Sequence, residues 1–276
     1  MAQKIWMITG ASRGFGAENA KAVLAVGDNL IATARKVSTL DYLGKDSSVF
    51  AVALDVTDEP HAKKAVDAGL KQFGRIDVLV NNAGYGLLGA VEESSAQEVE
   101  NIYRTNVFGL LNVTRAVLPC MREQKSGHII NFSSLGGYRS YPGWGVYSST
   151  KFAVEGLTES LHGELAPLGI HATVVEPGFF RTDFLDSSSL IKTANVISDY
   201  ADTVGKMRDL AEGHNHQQPG SPSKLAQAIL QLAKTAEPPV RLPLGTDTLK
   251  RIAEKNAFVE KETETWRTVA ASTDFA

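Results

Sequence analysis

Short apolar runs rich in β-branched residues alternate with longer amphipathic stretches along almost the whole chain. The runs are apolar at nearly every position, which is the pattern of strands buried on both faces of a parallel sheet. Helical stretches between such runs predict repeated βαβ units. We therefore expect a doubly wound α/β fold, with a mainly parallel sheet of about seven strands and helices on both faces. The runs span residues 4–9, 29–34, 48–56, 76–84, 127–134, 170–178 and 239–244.

The chain reads as one domain over residues 1–276, because no Pro- or Gly-rich linker divides it and no repeat is visible. The segment 179–222 interrupts the alternation directly after the sixth run. A long insertion at the carboxyl end of a strand is a usual place for a substrate-binding lid in α/β sheets. The tail 245–276 predicts a charged surface helix.

Charge and composition disfavour several classes of protein. The 28 basic and 31 acidic residues give a net charge of −3 without a polybasic run, so we expect no nucleic-acid partner. No uninterrupted apolar stretch reaches the roughly 18 residues of a membrane span. Cys120 is the only cysteine, and the N-terminus lacks the long apolar core of a signal peptide, so we expect a cytoplasmic protein.

Two other site types find little support. A Ser-His-Asp hydrolase is poorly supported, because the six histidines are scattered along the chain. His214 and His216 lie in a polar segment without a carboxylate or cysteine partner, so we expect no metal site.

A glycine-rich turn, TGASRGFG at 9–16, joins the first apolar run to the first helix. Glycines at such a junction allow the backbone to approach a pyrophosphate, and the helix N-terminus offers unpaired N–H groups. The spacing of Gly10, Gly14 and Gly16 is not that of an ATP- or GTP-hydrolysing phosphate loop, which ends in Gly-Lys-Ser/Thr. The position predicts a dinucleotide site.

The second apolar run ends in TARK, where NAD-binding chains usually offer a carboxylate for the ribose 2′-hydroxyl. Arg35 stands there instead, and Arg13 lies in the glycine turn. A guanidinium can bind a 2′-phosphate through charge-assisted hydrogen bonds. We therefore expect NADP(H) to be preferred over NAD(H).

Over nearly its whole length the chain resembles the classical short-chain dehydrogenases/reductases, and more loosely their hydroxysteroid- and retinol-dehydrogenase-like members. That family implies a single Rossmann domain that uses a nicotinamide cofactor to interconvert a ketone or aldehyde with an alcohol. The resemblance rests on TGASRGFG (9–16), LDVTD (54–58), NNAG (81–84), TNVFG around Asn106, NFSS (131–134), Tyr147-x-x-x-Lys151 and PGFFRT (177–182).

The resemblance implies a catalytic tetrad. Ser134 stands thirteen residues before Tyr147, the separation usual in the family, and is therefore favoured over Ser133. In the family the tyrosine is the general acid/base, the lysine also binds the nicotinamide ribose, and the asparagine supports a proton-relay water. The four matching residues are Asn106, Ser134, Tyr147 and Lys151.

The resemblance also implies a set of cofactor contacts. Where Phe180 stands, the family commonly has Ile or Val. The expected contacts are Gly10, Ser12, Arg13, Gly14, Phe15, Gly16, Arg35, Asp55, Val56, Asn82, Ala83, Gly84, Tyr147, Lys151, Pro177, Gly178, Phe180 and Thr182.

The chemistry explains why these residue types are needed. An isolated tyrosine, with a pKa of about 10, releases its proton reluctantly at neutral pH. Positions i and i+4 share a helix face, so Lys151 lies beside Tyr147, and its ammonium lowers the pKa of the phenol. The Ser134 hydroxyl can hold the substrate oxygen as charge develops there.

The substrate pocket is less determined. Aromatic residues flank the tetrad at Tyr141, Trp144, Phe179 and Phe184. They either line the pocket, which would then suit a bulky hydrophobic ketone or alcohol, or pack in the core. The long helices predicted over 99–124 and 145–167 are where family members usually form homodimers or homotetramers.

Two alternatives stay open. One is a non-catalytic NADP-sensing scaffold, which would normally have lost the serine, tyrosine or lysine. The other is an epimerase or dehydratase of the extended short-chain group, which shares Tyr-x-x-x-Lys but usually has a larger C-terminal domain.

Overall fold

The computed structural model of the chain describes residues 3–213 and 217–275. Most strands are short, and helices follow them in nearly regular alternation. In chain order the strands are β1 (Ile5–Ile8), β2 (Asn29–Ala34), β3 (Val49–Ala53), β4 (Val78–Asn81), β5 (Gly86–Leu88), β6 (Gly127–Phe132), β7 (Ile170–Pro177), β8 (Leu190–Lys192) and β9 (Arg241–Leu244). The helices are α1 (Gly14–Ala25), α2 (Glu59–Phe73), α3 (Ala96–Tyr103), α4 (Leu110–Gln124), α5 (Gly145–Leu165), α6 (Lys206–Gly213), α7 (Pro222–Leu232) and α8 (Thr246–Ala271).

The central sheet contains seven strands in the order β3-β2-β1-β4-β6-β7-β9, and every pairing in it is parallel. This confirms the predicted doubly wound α/β fold. The third run is shorter than expected, since β3 ends at Ala53 and Leu54 to Val56 turn away to line a cavity.

Alternate side chains of β1 enter different layers of the core, as the two-residue period of a strand requires. Trp6 and Ile8 pack in one cluster with residues of α1 and α7. Ile5 and Met7 pack in the other with residues of α2 and α4. The sheet is therefore covered on both faces, and each large apolar side chain buried in it contributes about 1.5–3 kcal/mol.

The long helix predicted over 99–124 is interrupted. It consists of α3, a π-helical turn at Arg104–Gly109, and α4. A π turn inserts one extra residue per turn and often occurs at functional sites. Here it carries Asn106.

The segment 179–222 holds a pairing that the sequence did not indicate. Strand β8 pairs in parallel with β5, which follows β4, and together they form a separate two-stranded sheet. The base of the segment is closed where Arg181 N donates to Gly220 O (2.9 Å) and Gly220 N donates to Phe179 O (3.0 Å). Three-residue strands such as these carry no periodic pattern.

A buried ion pair also fastens this segment. Arg208 donates to Glu93 Oε2 at 2.5 Å, and the Glu93 carboxylate is fully buried. Glu93 also accepts hydrogen bonds from the backbone N–H groups of Ala90 (2.7 Å) and Ile197 (2.8 Å). The role of 179–222 as a substrate lid and the single-domain assignment of 1–276 stay predictions.

Helix α8 follows β9, and most of its residues are exposed to solvent. Within residues 3–213 and 217–275, no helix has both the length and the apolar character needed to cross a bilayer. The same residues contain no cluster of His, Cys, Asp and Glu that could hold a metal ion. His214 and His216 lie outside the described residues.

The N-terminus of α2 provides a test of local stability. Asp58 is its N-cap, and the carboxylate accepts a hydrogen bond from His61 N at 2.9 Å. Asp58→Ala should lower the free energy of unfolding by about 1 kcal/mol, because a first-turn N–H loses its acceptor.

Chemical denaturation measures this change. Asp67→Ala, which removes an exposed partner of Lys63 on the same helix, is the control and should cost under about 0.5 kcal/mol. Equal losses in the two variants would contradict the capping role.

Candidate active site

A cavity of about 1140 Å³ opens beyond the carboxyl ends of the central strands. In parallel sheets this edge is where ligands bind, because the connections to the helices separate there. Every residue that the sequence predicts at the site lines this cavity except Gly16 and Asn106. Those two pack against residues of its wall, Gly16 against Gly10 and Asn106 against Tyr85.

The glycine turn shows why small residues are needed there. Gly10 and Gly14 have φ angles of +66° and +53°, which side chains disfavour. A Cβ on Gly16 would lie 2.2 Å from Gly10 O, so α1 can approach the turn only with glycine at this position. Such a turn at a helix N-terminus can bind a pyrophosphate.

Asn82 fastens the turn from the end of β4. Its amide Nδ2 donates to Thr9 O (2.9 Å) and Gly10 O (3.1 Å). Asn82, which the sequence predicts as a ribose contact, thus also holds the backbone of the glycine turn in place.

Arg35 and Lys36 are exposed at the end of β2 and line the cavity. Burial alone would raise the pKa of the nearby Asp55, but hydrogen bonds from Thr57 and the charge of Arg35 hold that pKa below its ordinary value. Arg13 also lines the cavity, and its guanidinium donates to Ser188 O in the segment 179–222. The two arginines expected at the 2′-phosphate thus have different partners.

Tyr147 and Lys151 lie one turn apart near the start of α5, and both are buried. Burial raises the pKa of Tyr147 to about 12, although a hydrogen bond with Ser134 acts in the opposite direction. The Lys151 ammonium lies 5.8 Å from the centroid of the Tyr147 ring. The pKa of Tyr147 thus lies above its ordinary value, so the lowering predicted from Lys151 is not what the structure shows, because burial outweighs it.

Lys151 Nζ donates to Phe132 O at 2.8 Å. Burial lowers the pKa of Lys151 to about 8, and the charge of Glu155 opposes this shift. At neutral pH the side chain is mainly an ammonium, while Tyr147 is a protonated phenol.

The two adjacent serines face different partners. Ser133 donates back to the Lys151 carbonyl at 3.5 Å, whereas Ser134 is hydrogen-bonded to the Tyr147 phenol. Ser134 also accepts a hydrogen bond from Gly136 N at 3.0 Å. Of the two serines, Ser134 is therefore the one whose hydroxyl lies beside the Tyr147 phenol.

Asn106 is buried in the π-helical turn and bonds the loop after β4. Its amide donates to Tyr85 O (2.9 Å) and Thr150 Oγ1 (3.2 Å), and its Oδ1 accepts from Tyr85 N (3.1 Å). A Cβ on Gly84 would lie 3.1 Å from Asn106 Oδ1 and 3.7 Å from Lys151 Nζ. Asn106 Oδ1 and Lys151 Nζ therefore both lie close to the face of Gly84 on which a side chain would stand.

An aromatic wall stands beside the Tyr147 phenol. The Trp144 ring lies 5.6 Å from Tyr147 and 6.4 Å from Phe184, and Phe184 lies 5.6 Å from Tyr147. Tyr141, farther along the wall, lies under the Arg139 guanidinium at 5.5 Å. Most of this surface is apolar.

The two phenylalanines of PGFFRT differ in their surroundings: Phe180 packs inside the cavity, whereas Phe179 is exposed. Phe180 packs edge-on against Phe15 at 5.4 Å, within the cofactor side of the cavity. Phe179 is 56% exposed, and its N–H donates to Asp247 Oδ2 at 2.8 Å.

Sequence reasoning missed several residues of the site. Tyr85, Ile191 and Gln218 line the cavity, and Asp247 holds the loop after β7 from the first turn of α8. Tyr85 directly follows the NNAG motif, which was a usable signal. Asp247 stands 68 residues from its partner Phe179, and no local pattern indicates such a contact.

A family model described as short chain dehydrogenase matches residues 4–191. Oxidoreductase BOA17 of Botryotinia fuckeliana is 42% identical over 268 residues, covering 96% of this chain and 97% of that protein. A 3-ketodihydrosphingosine reductase of Bacteroides thetaiotaomicron is 39% identical over 246 residues, covering 89% of each.

Two solved structures have the same architecture. A short-chain dehydrogenase from Streptomyces avermitilis superposes with a TM-score of 0.93 at 41% identity, covering 99% of this chain and 100% of that one. The structure of ElxO with NADP bound superposes with a TM-score of 0.75 at 28% identity, covering 90% of this chain and 100% of that one. The likeness supports a nicotinamide cofactor in the cavity described above.

Gly16→Ala tests the glycine turn as a dinucleotide site. The added Cβ must displace Gly10 O, and overpacking of this kind costs about 1–3 kcal/mol. We expect the Kd for NADPH to rise about tenfold or more.

Fluorescence titration with NADPH measures the Kd. The control is Gly156→Ala on α5, where an added Cβ meets no atom within 4 Å. Wild-type affinity in Gly16→Ala, or equal weakening in both variants, would contradict this role of the turn.

Proposed function

The chain belongs to the short-chain dehydrogenases, a family of oxidoreductases, and we propose that it is an NADP(H)-dependent carbonyl reductase that interconverts a hydrophobic ketone or aldehyde with its alcohol. One observation carries this proposal. The Tyr147 phenol, the Ser134 hydroxyl and the Lys151 ammonium converge in the same cavity as the glycine turn.

The residues present fit a dinucleotide. The turn from Gly10 to Gly16 leaves a cradle that side chains would fill, and α1 offers its N-terminus to phosphates. Lys151 is the expected partner of the nicotinamide ribose. A bound nicotinamide supplies the hydride in reduction and accepts it in oxidation.

The side chains supply the proton and hold the substrate oxygen. Ser134 donates a hydrogen bond to that oxygen, and Tyr147 transfers its phenolic proton to it as negative charge develops. The Lys151 ammonium then stabilises the phenolate that remains. Asn106, which lies with Lys151 against the same face of Gly84, supports a water that returns a proton to the site.

NADP(H) is the cofactor that the basic corner favours. Arg35 and Lys36 stand at the end of β2, where a carboxylate would repel a 2′-phosphate. Arg13 reaches the opposite segment at Ser188 and so can close over the bound phosphates.

The substrate class follows from the aromatic wall. Trp144 and Phe184 flank Tyr147 and offer an apolar face, so the substrate is a hydrophobic, aromatic or polycyclic carbonyl compound. The Bacteroides relative is named a 3-ketodihydrosphingosine reductase, which supports reduction of a ketone by this chain as well.

The working form is a homodimer or homotetramer in the cytoplasm. Phe108, in the π turn before α4, is 52% exposed, and Phe152 on α5 is 46% exposed. Exposed aromatic residues on long helices are suited to a contact between subunits. The single thiol, Cys120, is unpaired.

Tyr147→Phe tests the proton-transfer step. The variant keeps the ring packing against Trp144 and loses only the hydroxyl. We expect NADPH binding to persist and kcat for carbonyl reduction to fall about 10²–10⁴-fold.

A panel of aryl ketones, steroids and long-chain ketones with NADPH provides the assay. Tyr200→Phe is the control, because that hydroxyl donates to Glu92 (2.6 Å) and does not line the cavity. Retained turnover in Tyr147→Phe would remove Tyr147 from the mechanism. Absence of turnover in the wild type, despite tight NADPH binding, would favour a non-catalytic scaffold.

Arg35→Ala tests the cofactor preference. Loss of a charge-assisted hydrogen bond costs about 1.5–3 kcal/mol, so KM for NADPH should rise about tenfold or more. KM for NADH should hardly change, because NADH carries no 2′-phosphate.

Steady-state kinetics with both cofactors measure the two values. Arg267→Ala on α8, which loses only an exposed pairing with Glu264, is the control. Equal use of NADH and NADPH by the wild-type protein would refute the argument from Arg35.

A further inference from the structure

A pair of buried acids lies directly behind the site. Glu155 on α5 and Glu176 on β7 are 5% and 1% exposed. Arg241 of β9 lies between them, with Nε 3.2 Å from Glu155 Oε2 and 3.8 Å from Glu176 Oε1. The guanidinium also binds the exposed Glu159 at 2.5 Å. One cation thus faces three carboxyl groups, two of them buried.

Several carboxyl oxygens of Glu155 and Glu176 lack a hydrogen-bond donor unless one of the two acids is protonated. Glu155 Oε1 and both oxygens of Glu176 are buried without a donor among the described residues. Two ionised carboxylates so placed would repel each other in a medium of low dielectric constant. A proton on Glu176 removes one charge and supplies a donor to Glu155.

The two carboxyl groups differ in how readily they take that proton. Burial and the charge of Glu155 raise the pKa of Glu176 to about 8. Burial raises the pKa of Glu155 too, but the charge of Arg241 opposes that shift. Glu176 is therefore the member that takes up the proton first, whereas a hydrogen bond with Ser133 and the charge of Arg241 favour the ionised form of Glu155.

Glu155 also stands one helical turn after Lys151, so the two side chains share a face of α5. A Cβ on Gly137 would lie 2.2 Å from Ser133 Oγ, 3.0 Å from Glu155 Oε1 and 3.1 Å from Lys151 O. The backbone of the 134–137 turn is thus packed tightly against Glu155 and α5.

We propose that Glu155 is a positioning residue for the reaction: its carboxylate, kept ionised by Arg241 and by a proton on Glu176, maintains the charge of the Lys151 ammonium inside the buried site. The inference rests on the proposed function of Lys151. The charged or titratable groups that bear on it are Tyr147 and Glu155 beside Lys151, and Glu159, Glu176 and Arg241 beside Glu155.

The sign of the pH effect follows from Lys151. Its pKa of about 8 means that the ammonium is present below that pH and is lost as the pH rises through it. Carbonyl reduction should therefore fall above about pH 8 in the wild-type protein. Without the Glu155 charge the pKa of Lys151 drops further, so the fall should begin at lower pH.

Glu155→Gln measures this effect, because glutamine keeps the size of the side chain and removes its charge. The descending limb of kcat against pH should move down by about 1 pH unit, giving about a fivefold loss near pH 8 and little loss near pH 6. Glu155→Gln/Glu176→Gln should move the limb at least as far. The double variant replaces Glu155→Gln in this experiment if the single variant is unstable, because the double variant leaves no buried carboxyl group without a partner.

Glu159→Gln is the matched control. It removes an exposed carboxylate that shares Arg241 and lies on the same helix, and it should leave the limb in place. The proposal would be overturned if the descending limb of kcat against pH moved equally in Glu155→Gln and Glu159→Gln. The shift would then reflect only the loss of one negative charge from the protein.

A second measurement does not depend on turnover. The 13Cε chemical shift of Lys151, followed by NMR through a pH titration of the protein without substrate, reports the pKa of the ammonium directly. A lower pKa in Glu155→Gln than in the wild type and Glu159→Gln supports the proposal. An unchanged pKa overturns it even if activity falls. If the wild type reduces no carbonyl compound, the proposed function fails while the titration still decides the role of Glu155.

Discussion

The parallel order of the sheet is the constraint on which the site depends. Because β1, β4, β6 and β7 run in one direction, their carboxyl ends lie at one edge, and the segments that follow them meet there. Gly10 follows β1, Asn82 follows β4, Ser134 follows β6 and Gly178 follows β7. Residues more than a hundred positions apart in the chain thereby line a single cavity.

Burial controls the protonation of the side chains in that cavity. The same desolvation that raises the pKa of Tyr147 lowers that of Lys151, because in each case the neutral form is favoured. Lys151 therefore needs a nearby negative charge to remain an ammonium, and Glu155 provides one. The acid pair and Arg241 extend the electrostatics of the site beyond the groups that can touch a substrate.

The sequence was informative where a local pattern has one physical cause. Continuous apolar runs predicted the seven strands of the central sheet, and the glycine turn predicted a dinucleotide site where the first strand meets the first helix. Other features depend on contacts between distant segments. The β5–β8 pairing joins three residues to three, and Arg208 meets Glu93 from 115 positions away. Neither contact corresponds to a periodic pattern in the sequence, because both depend on the tertiary packing of distant segments.

The protonation states also bear on the direction of the reaction. Because its pKa is raised, the Tyr147 phenol already holds the proton that carbonyl reduction requires, whereas alcohol oxidation must first form the phenolate. Ionisation of Tyr147 depends on Lys151 remaining charged. Because the pKa of Lys151 is about 8, raising the pH to ionise Tyr147 also removes the charge of Lys151. In the proposed mechanism, Tyr147 and Lys151 therefore both hold their protons near neutral pH, as carbonyl reduction requires, and the Glu155 carboxylate extends that state to higher pH.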